Sequence, residues 1–225
     1  MAPPGWKVCG ITHAEVLVAA IIFAILGALI YPWFVNAWRK GQRISTVSCC
    51  RQIHIATMSM ANDGEAEKNP AKGWPGDLKA RGVIRDTADF ATLLVRGNYF
   101  MASDLRCFCE GPVHAVAPGF KPYHGVLTSG GKLDPPFSEE NNPFKIFLVK
   151  DPDPGPTVFL ETKNYTYGKD LNHPRAKPYG DKAFIVCRKG GDVALYKKEQ
   201  ALDLSHLGKL PGGGTVESAE NCLNP

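Results

Sequence analysis

The stretch Gly10-Ile11-Thr12-His13-Ala14-Glu15 opens onto Val16-Leu17-Val18-Ala19-Ala20-Ile21-Ile22-Phe23-Ala24-Ile25-Leu26-Gly27-Ala28-Leu29-Ile30-Tyr31-Pro32. The residues from Val16 to Val35 are long enough, at helical rise, to span a bilayer. Glu15 stands at the mouth of this run. An acid beside so much apolar surface is costly unless something pairs with it. Gly10-Ile11 reads as a processing point. Cleavage there frees an α-amino group at Ile11, one helical turn from Glu15. The new positive terminus and the acid are natural partners, in one chain or between neighbours.

Lys7 precedes the apolar run, while Arg39, Lys40 and Arg43 follow it, so the charges flanking it do not fix its orientation. A secretory signal peptide is the competing reading. The run is longer than a signal core, and no small-residue cleavage site follows it promptly.

The order Gly10, Ile11, Thr12, two residues, Glu15 and a long apolar helix resembles the type IV pilin and type II secretion pseudopilin family, with its prepilin-type cleavage and methylation motif. Ile11 stands where the family most often has Phe, and His13 where it most often has Leu. Pro32 lies near the end of the apolar run, where the family often carries a proline. The resemblance covers about the first fifth of the chain. It implies a leader over residues 1–10, removed by a prepilin peptidase that recognises Gly10 and N-methylates Ile11. It also implies a single-pass protein of the bacterial inner membrane with its C-terminal domain in the periplasm. An inner-membrane assembly platform, further copies of the chain and related pilin subunits would be its partners in a helical filament. In that setting Glu15 pairs with the Ile11 amine of an adjacent subunit and sets the register, with Thr12 and Pro32 in the same assembling segment.

The chain has 225 residues, enough for one ordinary domain beside a membrane or filament helix. Its formal net charge is +4 and the charges are scattered, so nucleic acid is not an expected partner. Seven cysteines are present. Loss of Cys9 with the leader leaves Cys49, Cys50, Cys107, Cys109, Cys187 and Cys222. An even count in an exported domain permits disulfides, whose connectivity the sequence leaves open. Cys49-Cys50 and Cys107-x-Cys109 are too close in sequence to favour bonding within each pair. Zinc is the alternative, but the chain has no Cys-x-x-Cys pair.

One long helix is expected over residues 11–62, ending at Asn62-Asp63-Gly64. After Trp38 its pattern turns amphipathic, with Ile44, Val47, Cys50, Ile53, His54 and Met58 near helical spacing. Residues 63–225 read as an α+β domain with long loops. Asn69-Pro70 and Trp74-Pro75-Gly76 mark a loop, and Thr87–Arg96 a short helix stopped at Gly97. Gly111–Pro143 is rich in glycine and proline and reads as irregular. Strands are expected at Lys145–Lys150, Thr157–Thr162, Ala183–Arg188 and Asp192–Lys197. The last two flank Lys189-Gly190-Gly191, the best hairpin signal in the chain. A short helix near Gln200–Leu207 follows. The expected fold class is therefore α+β: a long N-terminal helix, transmembrane then amphipathic, packed on a small antiparallel sheet. The family resemblance implies the same layout.

No catalytic motif is present, and the expected role is not enzymatic. His54, His114, His124, His173 and His206 lie far apart. Asp203, Ser205 and His206 are sequence neighbours, whereas a catalytic triad joins separate segments. Asp151, Asp153, Asp170 and Asp192 lie in expected loops and are oxygen donors. The family resemblance raises calcium as a cofactor there, but their spacing fits no Ca²⁺ loop. Trp74, Tyr165, Tyr167 and Tyr179 read as packing anchors rather than as a ligand surface. Two functions fit: a structural filament subunit of a type II secretion-like machine or a pilus, and a membrane-anchored periplasmic binding or enzymatic domain.

Overall fold

The computed structural model describes residues 13–108, 126–128, 133–134, 142–174, 176, 178–214 and 217–223. The chain divides into two compact units, residues 1–41 and 42–225. Helix α1 (His13–Glu67) supplies the described part of the first and opens the second.

In the second unit α1 is one-sided. Thr46, Cys49, Cys50, Ile53, Ala56, Thr57 and Met60 are buried. Their spacing of three and four keeps them on one face of the helix. The expected stripe is corrected at its edges: Ile44 and Met58 are exposed, as is Ile55. The helix also runs past its expected stop to Glu67. Gly64 is helical, and its missing side chain has another use. A Cβ there would stand 2.7 Å from the Lys72 carbonyl oxygen, so glycine lets the next loop approach. Lys68 takes the left-handed turn instead, at φ 52°. Asn69 N–H donates to Gly64 C=O at 2.9 Å and Lys68 N–H to Glu65 C=O at 3.3 Å, which is the Schellman pattern.

Trp74-Pro75-Gly76, expected as loop, begins helix α2 (Pro75–Ala80), with proline at its first position. Helix α3 (Thr87–Arg96) has its expected bounds, because Asp86 caps it by accepting from Asp89 N–H at 2.8 Å. A 3₁₀ turn spans Ala102–Phe108. Most of the stretch expected to be irregular lies outside the described residues. Within it, β1 (Val126–Leu127) pairs antiparallel with β2 (Leu133–Asp134).

The main sheet is antiparallel with strand order β3-β4-β5-β6: β3 (Phe144–Ile146), β4 (Val158–Thr162), β5 (Ala183–Arg188) and β6 (Val193–Lys197). The hairpin forms where expected. Arg188 N–H donates to Asp192 C=O at 2.9 Å across the turn, and Gly191 takes φ 87°. Strand β4 is buried along its whole length, and β5 up to Cys187. Both faces of the sheet are therefore covered. His54 and Trp74 pack around Phe159, with ring centroids 6.1 and 5.5 Å away. On the other face Phe184 stacks between Tyr165 and Tyr196, at 3.9 and 5.4 Å. Residues 217–223 cover the β3 side. Cys222 bridges Phe147, Leu223 N–H donates to Ile146 C=O at 2.8 Å, and Leu148 N–H to Asn221 C=O at 2.9 Å. A 3₁₀ turn at Lys198–Gln200 and helix α4 (Leu204–Leu207) stand where one helix was expected. The protein is thus α+β, with a long N-terminal helix and a small four-stranded antiparallel sheet.

Candidate functional site

The first unit offers the most unusual surface. From His13 to Phe34 every residue of α1 is exposed. Val16-Leu17-Val18 and Ile21-Ile22-Phe23 are consecutive triplets. Successive residues sit about 100° apart around a helix, so each triplet puts apolar groups on more than half the circumference. A helix apolar all round needs lipid or other helices around it. Among the described residues α1 is the one helix long and apolar enough to cross a membrane. Full burial of side chains such as Leu17, Ile22 and Phe23 is worth about 1.5–3 kcal/mol each.

Glu15 lies in the first turn of α1 and is exposed. A carboxylate there complements the positive end of the helix dipole. Pro32 sits inside the helix, which continues through it although the proline nitrogen has no hydrogen to donate. Gly10, Ile11 and Thr12, with the rest of residues 1–12, lie outside the described residues.

The cysteines gather in the second unit. Cys49, Cys50, Cys187 and Cys222 are buried free thiols. Cys107 is buried, with its Sγ donating to Gln52 Oε1 at 3.2 Å. Cys109 lies outside the described residues.

The loop acids do not converge. Asp153 Oδ2 accepts from Lys150 N–H at 2.7 Å, and Asp192 pairs with Arg188. The carbonyl oxygens of Asp151 and Asp153, the donor type a calcium loop uses, both face the Lys189 ammonium, which stands 2.7 Å from that of Asp153. Among the described residues no group of three or more His, Cys, Asp or Glu side chains is arranged to hold a metal. Asp203, Ser205 and His206 also make no triad. Ser205 Oγ donates straight to Asp203, which caps α4, and the His206 ring stands 3.6 Å from Asp203 on the exposed side. His54 is buried, with Nε2 2.7 Å from the Lys189 carbonyl oxygen. Trp74, Tyr165, Tyr167 and Tyr179 are buried anchors, and the hydroxyls of Tyr165, Tyr167 and Tyr179 donate to Ala201 O, Gly208 O and Thr46 Oγ1.

One cluster escaped the sequence reading. Lys145 on β3 stands opposite Glu161 on β4, and both are buried. The Lys145 ammonium lies 2.7 Å from Glu217 Oε1 and 3.4 Å from Glu161 Oε1. Glu217 Oε2 also accepts from Tyr167 N–H at 3.0 Å. Burial pushes the Glu161 carboxyl up to about 8, against the pull of Lys145 and with the help of Glu217. Near neutral pH Glu161 therefore keeps its proton. The arrangement ties residues 217–223 to the sheet. Alternation in the strands held no hint of it, since only pairing register brings Lys145 to Glu161.

Two open clefts, about 340 and 450 Å³, mark the surface near Trp74 and near Lys150. Neither contains a cysteine, serine or histidine among its lining residues. Compared with family models, curated proteins and solved structures, the chain matches none of them.

Proposed function

We propose that this chain is a filament subunit of the pseudopilin type, serving a type II secretion-like machine or a pilus. Its leader is cut at Gly10-Ile11, and α1 holds the subunit in a membrane before assembly. The apolar segment then leaves the lipid for a bundle of identical helices. Head-to-tail contacts that do not close on themselves generate a helical fibre. Glu15, paired with the Ile11 amine of a neighbour, fixes the step between copies, because the ion pair offsets its burial cost only when both partners meet.

One observation carries this reading: α1 is apolar and exposed on every side through Phe34, yet one-sided and packed from Thr46 onward. A simple anchor needs the first property alone. A long helix whose second half is built into an α+β unit with an antiparallel sheet is what the resemblance at Gly10–Glu15 implies.

Mass spectrometry of the protein from its native host tests it. The expected chain begins at N-methylated Ile11. An intact Met1, or a cut beyond Ala28, would point instead to an anchored periplasmic binding or enzymatic domain.

A further inference from the structure

We infer that Cys50 on α1 and Cys187 on β5, both thiols in this structure, are the pair that a thiol–disulfide oxidant joins while the second unit folds. The packing register of α1 on the sheet places them together. Thr46 receives the Tyr179 hydroxyl, and His54 meets the Lys189 carbonyl oxygen at 2.7 Å. The His54 ring also lies over Gly191, where a Cβ would stand 3.1 Å from Cε1. Thr46, Cys50 and His54 are successive members of one helical row, four residues apart. Cys50 therefore points at the stretch of chain between Tyr179 and Lys189.

Strand alternation selects the residue it meets. Phe184 and Arg188 face away from α1, towards Tyr196. Cys187 has the opposite parity and lies on the α1 side, paired in register with Leu160. Both are buried, Cys50 at 1% exposure and Cys187 at 0%, as side chains enclosed between α1 and the sheet must be. Behind burial, the neighbouring Cys187 and Cys49 sulfurs push the Cys50 thiol further up. Tyr179 feels Cys50 in the same way.

The chemistry balances with one disulfide-bearing oxidant, such as oxidised glutathione or an oxidised dithiol protein. The thiolate of one cysteine attacks the oxidant, forming a mixed disulfide and releasing one thiol. The second cysteine loses its proton and attacks the bound protein sulfur, forming the Cys50–Cys187 bond and releasing the second thiol. Two protons and two electrons leave the protein, and the oxidant is reduced to two thiols. Burial pushes the Cys187 thiol up to about 12 and that of Cys50 well above its ordinary value. Folded and reduced, the pair offers little thiolate, so the bond forms while the unit is still open. Once enclosed, it resists exchange for the same reason.

The full chain in detergent, unfolded and reduced, is refolded with reduced and oxidised glutathione. Peptide mapping without reductant should find Cys50 joined to Cys187, both in the natural chain and in Cys49→Ser, which removes the adjacent thiol. The oxidised chain should melt about 10 °C above the reduced one. Cys187→Ser and Cys50→Ala should abolish that gap, and the mapping decides the question even where a variant folds poorly. Alkylation of both residues after refolding, or bonding of Cys187 to any other cysteine, overturns the pairing. Its occurrence in the cell rests on the exported-filament reading, and the two fail separately. A bond that forms in glutathione while host material carries two thiols leaves the pairing and removes export. Host material trimmed at Gly10 with both thiols alkylated does the reverse.

Discussion

At the residue scale, two carboxylates do different work. Glu161 is the titrating one. Its folded pKa of about 8 lies above the ordinary glutamate value. The folded state therefore holds a proton that the unfolded chain releases. The associated stability is fully present below about pH 4.5 and is lost as pH rises through about 8. Thermal melts of the natural chain should fall between about pH 5 and pH 9, by on the order of a few kcal/mol. Glu161→Gln keeps the shape, removes the proton and should flatten that slope. An equal slope in the variant would place the titration elsewhere. In the proposed filament Glu15 is the pairing carboxylate. Glu15→Ala should leave membrane insertion intact and abolish fibres, scored by membrane fractionation and electron microscopy. Normal fibres from that variant would remove the pairing argument. The place of Glu15 in the first turn of the apolar helix was legible from its position at the mouth of the apolar run. Glu161 was not, since its setting depends on Lys145 and Glu217 arriving from distant parts of the chain.

At the element scale, the helix stop separates two roles of glycine. Helix propensity alone says that Gly64→Ala should stabilise α1 by nearly 1 kcal/mol. The methyl group would stand 2.7 Å from the Lys72 carbonyl oxygen. Overpacking of that kind costs about 1–3 kcal/mol, so the variant should melt lower than the natural chain. A higher melting temperature would mean that the loop at Lys72 yields freely. The same residue explains why the sequence put the helix end too early: Asn62-Asp63-Gly64 carries the composition of a cap, while the left-handed residue is Lys68. Elements with local causes read correctly. Helix α3 has Asp86 at its start and Gly97 at its end, and the β5–β6 hairpin has Lys189-Gly190-Gly191. Helix α2 was missed because its signal, Trp74-Pro75-Gly76, serves a turn and a helix start equally well.

At the scale of the whole molecule, the core lies entirely within residues 42–225. A fragment beginning at Gln42 should be soluble without detergent and should unfold in one cooperative transition, followed by circular dichroism. Aggregation of that fragment, with no transition, would mean that the apolar segment contributes to folding. The change from an all-round apolar helix to a one-sided one was legible after Trp38, but the unit boundary at Gln42 was not, since the expected divisions fell at 10/11 and 62/63. The covering of β3 was not, because the pairing of Phe147 with Cys222 joins stretches with no common pattern. That late clasp has a temporal consequence. A ribosome must finish residues 217–223 before the sheet acquires its last neighbour and Lys145 its counter-charge. Nascent chains that stall before these residues should leave that side of β3 open and be cut faster by proteases than chains that carry the clasp.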